Sequence, residues 1–257
     1  MKEVSGLTKA KGSSSLRSNI IGDRDFYRRM MVIVIPIIIQ NTITNVVSLL
    51  DNIMVGRVGT LEMSAVAIDN QLLFVFYICI FGGLSGAGIF ATQYAGAKDN
   101  EGVRNCFRSK LFIAFAMVAV AFVVFLAMPE KLISLYLAEG TSAEDVAATM
   151  GFATDYLRVM LAGIVPFALS QVYSSTLREV GETKLPMISS VIAIFVNLVF
   201  NYFLIFGKCG FPQLGVVGAA IATVLSRYVE LAILLIFNST VLSRYVELKI
   251  RSIANST

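Results

Sequence analysis

MMVIVIPIIIQNTITNVVSLLDNIMVG, residues 30–56, decides the fold of this chain. About 20 apolar residues in a helix cross the hydrocarbon core of a bilayer, and this run is long enough. It is also interrupted in an instructive way, by amides and hydroxyls and finally by the carboxylate of Asp51. Burying an unpaired carboxylate in low dielectric costs several kcal/mol unless the group is neutralised. A stretch that both spans a membrane and carries such a group predicts a membrane protein with a polar site inside it.

The rest of the chain agrees. Of 257 residues, 56% are hydrophobic and only 15% charged, and the mean hydropathy is +0.77. A soluble domain carries roughly a quarter charged residues. Six spans are expected, at about 28–51, 67–95, 109–128, 150–177, 186–207 and 213–238. The expected fold class is therefore an all-α membrane protein in three parts: a basic tail over 1–27, a six-helix unit over 28–238 and a second tail over 239–257.

Several chemistries are excluded at this stage. There is no histidine, hence no histidine-based triad, zincin motif or histidine proton relay. The three cysteines, Cys79, Cys106 and Cys209, stand singly without CxxC spacing, and read as packing or surface residues rather than a metal or redox centre. No paired-carboxylate or HExxH pattern marks an intramembrane enzyme. The first 25 residues are polar and basic without an apolar centre, which suits a cytosolic tail and not a signal peptide.

Basic residues alternate from loop to loop. Sixteen lie in the N-terminal tail, the second loop (Lys98, Arg104, Arg108, Lys110), the fourth loop (Arg178, Lys184) and the C-terminal tail. Only Arg57, Lys131 and Lys208 lie in the other loops. Positive residues concentrate on the cytoplasmic side of spans. This bias predicts a multi-pass protein of the cell (inner) membrane with both termini cytoplasmic, and it gives the net charge of +4 a lipid rather than a nucleic-acid meaning.

Smaller features follow from local chemistry. Gly82 and Gly86 have GxxxG spacing, which predicts close packing of the second span against a neighbour. Pro36 and Pro166 fall inside spans, where a kink is tolerated, and Pro186 fits a helix start. LISLYLA, 132–138, suits an interfacial helix. Residues 223–239, TVLSRYVELAILLIFNS, are followed at once by a near copy, TVLSRYVELKIRSIANS, over 240–256. Lys249 and Arg251 forbid the copy from spanning, and it fits an amphipathic surface helix without a function of its own. The two Asn-Ser-Thr triplets lie on the expected cytoplasmic side and are discounted as glycosylation sites.

The polar residues within spans form a pattern. At 100° per residue, Gln40, Thr44 and Ser48 all lie within about 60° of Asp51 on the first span. Asn197 and Asn201 share a face of the fifth span, with Ser190 two turns below. Carboxylate, carboxamide and hydroxyl oxygens suit a monovalent cation, and a partly dry aspartate suits a proton equally. The other reading of Asn197 and Asn201 is that they join helices by hydrogen bonds. Gln40, Thr44, Ser48 and Gln71 are the candidate cavity-lining residues. Asp155 with Arg158, and Arg227 with Glu230, have the i,i+3 spacing of local ion pairs.

In order along the chain, the stretches PIIIQNTITNVVSLLDNIMVGRVGT, GLSGAGIFATQYAGAKDNEGVRNCFR, YLRVMLAGIVPFALSQVYSSTLREVGETKLPM, NLVFNYFLIFG and LGVVGAAIATVLSR resemble the multidrug and toxic compound extrusion family. The resemblance covers nearly all of residues 28–231. It implies no cofactor and no enzymatic activity, but a transporter of two six-helix lobes that uses Na⁺ or H⁺ entry to expel organic cations. It further implies a cation site in which Asp51 matches the family's first-span aspartate, Asn197 and Asn201 match fifth-span polar residues, and Thr223 matches a sixth-span hydroxyl. Asn201 stands where some members have aspartate, which leaves the choice of ion open. Family members have twelve spans and this sequence has six. A second lobe or a second copy is therefore the expected partner besides the bilayer and the substrate, and a truncated, non-transporting fragment is the alternative. A lipid-linked glycan flippase of similar fold would need a strongly cationic cavity, and Arg158 and Arg227 alone are too few.

Overall fold

The structure is a computed structural model that describes residues 24–137 and 142–254, with the side chains of Arg29 and of 238–254 not included. Most of the basic N-terminal tail, and the side chains of the duplicated segment, lie outside the described residues. Helix α1 runs over Arg24–Gly56, α2 over Thr60–Gly96, α3 over Asn100–Ala127, α4 over Pro129–Ser134, α5 over Ala143–Glu179, α6 over Lys184–Phe206 and α7 over Gly215–Ala254. All but α4 are long and apolar enough to cross a membrane, α7 over Gly215–Phe237. Among the described residues there is no strand.

The expected spans have the right number and order, but the helices outrun them. The apolar window ends where polar caps take over, and those caps extend the helix past the hydrocarbon. Ser142 Oγ accepts from the backbone N–H of Asp145 at 3.2 Å, starting α5 seven residues before the expected span. Asp99 Oδ1 accepts from the N–H groups of Glu101 and Gly102, both at 3.0 Å, and starts α3. At the other end of a helix, Gly207 takes φ +64° as the left-handed residue closing α6, and its N–H bonds back to Phe203. The expected interfacial helix is shorter and earlier than 132–138, a single six-residue piece begun by Pro129. Helix α7 continues without interruption to Ala254, so the second copy of the duplicated segment prolongs the first as one helix.

Helix α5 is the centre of the bundle, with Leu157, Ile164, Ala168 and Val172 almost wholly buried against α2, α3 and α7. Helix α6 packs on α7, and α1 packs mainly on α6. A loop of three residues joins α1 to α2, yet those two helices touch little. Apolar side chains such as Leu49, Phe81, Phe112 and Val123 stand exposed around the outside, as a lipid-facing surface requires.

One packing expectation is corrected. A side chain at Gly82 or Gly86 would meet nothing within 4 Å, so the GxxxG face is turned away from the other helices of this chain. The close approaches occur at Gly83, where a Cβ would lie 2.8 Å from Met117 Sδ, and at Gly88, where it would lie 2.5 Å from Glu179 Oε1. The spacing that packs is thus i,i+5, set by how α2 crosses both α3 and α5.

Candidate functional site

Four of the expected residues meet in one hydrogen-bonded chain across α1, α6 and α7. Asn201 Nδ2 donates to Asp51 Oδ1 at 2.7 Å and to Asn197 Oδ1 at 3.2 Å. Asn197 Nδ2 donates in turn to Thr223 Oγ1 at 3.2 Å, and that hydroxyl donates to the carbonyl of Ala219 at 3.0 Å. Helical geometry explains the assembly: Asn197 and Asn201 are one turn apart on α6, and the pair sits between Asp51 of α1 and Thr223 of α7. Asn197 and Asn201 are buried, while Asp51 and Thr223 are half-buried. The buried Oδ1 of Asn201 has no hydrogen-bond partner, although both protons of its amide are spent on oxygens.

The stripe predicted on α1 divides. Gln40 takes part in a second polar knot, donating to Ser190 Oγ at 2.7 Å and accepting from Arg178 at 3.2 Å. Ser190 donates to the buried Glu230 at 2.6 Å, and Arg227 lies 3.6 Å from the same carboxylate. The Arg227–Glu230 pair expected as purely local therefore belongs to a knot of four helices. Arg227 also stacks over the rings of Phe167 and Tyr77, at 4.9 and 5.9 Å from their centroids. Asp155 and Arg158 remain a local exposed pair at 3.7 Å. Thr44 and Ser48 are exposed, and the Thr44 hydroxyl turns back to the Gln40 carbonyl. Gln71 is exposed as well. These three are not brought into either knot.

Both knots cross from α1 to α6 at equivalent heights. Gln40 meets Ser190 and Asp51 meets Asn201, so each contact joins residues 150 apart and the two helices run parallel in one register. An apolar hollow lined by Met54, Leu198, Val199, Tyr202 and Phe203 opens beside the second contact.

Among the described residues, sequence reasoning missed the burial of three ionisable groups. Tyr156 of α5 is buried within electrostatic reach of Asp51, Asp69 and Arg227. Asp69 of α2 is wholly buried with neither carboxyl oxygen hydrogen-bonded. Lys110 of α3 is wholly buried as well, with its ammonium 2.5 Å from Glu179 of α5 and 3.1 Å from Ser175 Oγ.

Comparison with known proteins gives the family of the chain. Residues 36–203, which carry the α1 and α6 parts of the site, match the family model described as MatE. The chain belongs to the MatE family. A protein named "Probable multidrug resistance protein NorM" from Thermotoga maritima is 30% identical over 207 residues, covering 80% of this chain and 43% of its own length. Its Bacillus subtilis namesake is 27% identical over 205 residues, covering 80% and 44%. A crystal structure described as MATE in the straight conformation superimposes with a TM-score of 0.70 at 25% identity, covering 80% of this chain and 43% of that one. A structure described as the outward-facing conformation of a multidrug resistance MATE family transporter gives 0.68 at 25%, covering 78% and 42%. The chain thus spans less than half the length of the MatE relatives it matches, the share expected of one lobe. It is a multi-pass membrane protein of a transporter family.

Proposed function

We propose that this six-helix unit is the cation-coupling lobe of a MatE exporter of organic cations. It resides in the cell membrane with both termini cytoplasmic, and a second lobe or a second copy completes it. The observation that carries this reading is the unpartnered amide oxygen of Asn201 beside the Asp51 carboxylate. Asn201 orients its NH₂ toward Asp51 and Asn197, which leaves one carbonyl oxygen and the second Asp51 oxygen free to receive a positive charge. Asp51 stands among amides and a hydroxyl, a donor set that suits Na⁺ or H⁺ better than a divalent metal. Sharing a cation removes the desolvation cost of the carboxylate. A conformation of α1 that binds the cation better than another is then favoured by the difference in affinity, a few kcal/mol at most. Pro36 is the place on α1 where the ladder of backbone hydrogen bonds is already interrupted.

The test uses Asp51→Asn in two readouts. In vesicles holding the active assembly, efflux of a fluorescent organic cation driven by a Na⁺ or H⁺ gradient is expected to be abolished, with insertion intact because the change removes a buried charge. On the chain alone, the rise in melting temperature caused by the coupling ion is expected to vanish. Asn201→Ala removes the amide oxygen offered to a metal cation, an interaction with a charged group of about 1.5–3 kcal/mol, and should weaken Na⁺ binding by roughly 10- to 100-fold. Asn197→Ala, one bond further away, should weaken it less. Normal export with normal ion dependence in Asp51→Asn would refute the reading.

A further inference from the structure

Asp69 lies nine residues into α2, about 14 Å along its axis from Thr60. Its side chain is 0% exposed, it sits among buried Ala65, Val66, Ile68, Leu72 and Leu73, and neither of its carboxyl oxygens accepts a hydrogen bond. Among the described residues no ion pair reaches it. Tyr156 of α5 is a further buried titratable group, within electrostatic range of Asp69, Asp51 and Arg227. On α4, Glu130 and Lys131 are exposed, and on α3 Lys110 is committed to Glu179. On its own helix the other titratable groups are Glu62, Tyr77, Cys79 and Tyr94.

We infer that Asp69 is a second proton-binding carboxyl of this chain, held as a neutral acid in the α2–α5 interface. An unpaired carboxylate at this depth costs several kcal/mol, more than a neutral carboxyl with one unmet O–H. A proton fits the site better than a metal ion, because a hard cation requires several oxygen ligands and no second oxygen is bonded to this carboxyl. The exchange is a simple association: the carboxylate takes H⁺ from water when the interface is open and keeps it when the interface closes. The assignment does not depend on a cation at Asp51.

The test is the infrared spectrum of the full chain in lipid vesicles at neutral pH. The carbonyl stretch of a protonated carboxyl is expected in the parent protein, to lose one carboxyl's intensity in Asp69→Asn and to lose none of that component in Asp51→Asn. Unchanged intensity in Asp69→Asn would overturn the assignment. Should that variant fail to fold, the unmodified chain decides instead, with carbon-13 in the carboxyls of its seven aspartates. A carboxylic-acid resonance that persists in Asp51→Asn supports the site, and seven ionised resonances refute it.

Discussion

Replacing Lys110 with Met should cost this protein more than any change on its lipid-facing surface. Lys110 is 0% exposed and Glu179 is 15% exposed, and the ammonium sits 2.5 Å from each carboxylate oxygen. The Ser175 and Thr176 hydroxyls, 3.1 and 3.5 Å away, complete its shell. Removing one partner of a buried pair leaves the other charge uncompensated, at a cost of about 3–5 kcal/mol. At about 1.4 kcal/mol per decade, that is a factor of roughly 10²–10³ or more in the folded-to-unfolded ratio. Glu179→Leu should cost at least as much, since it strands the more deeply buried of the two charges with hydroxyls alone. The double variant Lys110→Met/Glu179→Leu should be more stable than either single one, because both desolvation costs disappear together. Unfolding of the four proteins in mixed micelles, read as a double-mutant cycle, measures this directly. If the double variant loses the sum of the two single losses, the charges do not interact and the reasoning fails.

Two further outcomes follow from other parts of the molecule. Gly88→Val drives a side chain into Glu179, 2.5 Å from where its Cβ would stand, and should destabilise by about 1–3 kcal/mol; the loss should shrink in the Lys110→Met background, where the carboxylate is free to swing away. With the termini cytoplasmic, a membrane-impermeant maleimide added outside cells should label exposed Cys209, in the loop after α6, and spare half-buried Cys106 near the start of α3; the reverse pattern would overturn the topology.

The six helices were legible because each must bury about 20 apolar residues in lipid, and no other feature of the sequence competes with that signal. Asp51, Asn197 and Asn201 stood out because a polar group in such a run is expensive, and the resemblance supplied Thr223. Asp69 escaped notice because it lies at the edge of an expected span that began at 67, where a charge reads as interfacial. The signal that could have found it was the apolar sequence on both sides, SAVAI before and LLFVF after. Lys110 reads as a loop charge and Glu179 attracts no reading at all, because the two are 69 residues apart and each flanks an apolar run. Only the crossing of α3 over α5 makes them a pair. Gly82 and Gly86 misled for the converse reason: a motif states which face is smooth, not which helix lies against it.

The matched contacts between α1 and α6 constrain how this protein can change over generations. Gln40 to Asp51 and Ser190 to Asn201 are both intervals of eleven residues, close to three full turns at 3.6 residues each. Inserting or deleting one residue within either interval rotates everything beyond it by about 100° and swings one contact off the shared face. Substitutions between the contacts can accumulate freely on the exposed side of α1, but a change of length there must be matched by an equal change in α6. Drift in this part of the lobe is therefore confined to replacing residues, and the count between the two contacts is inherited as a unit.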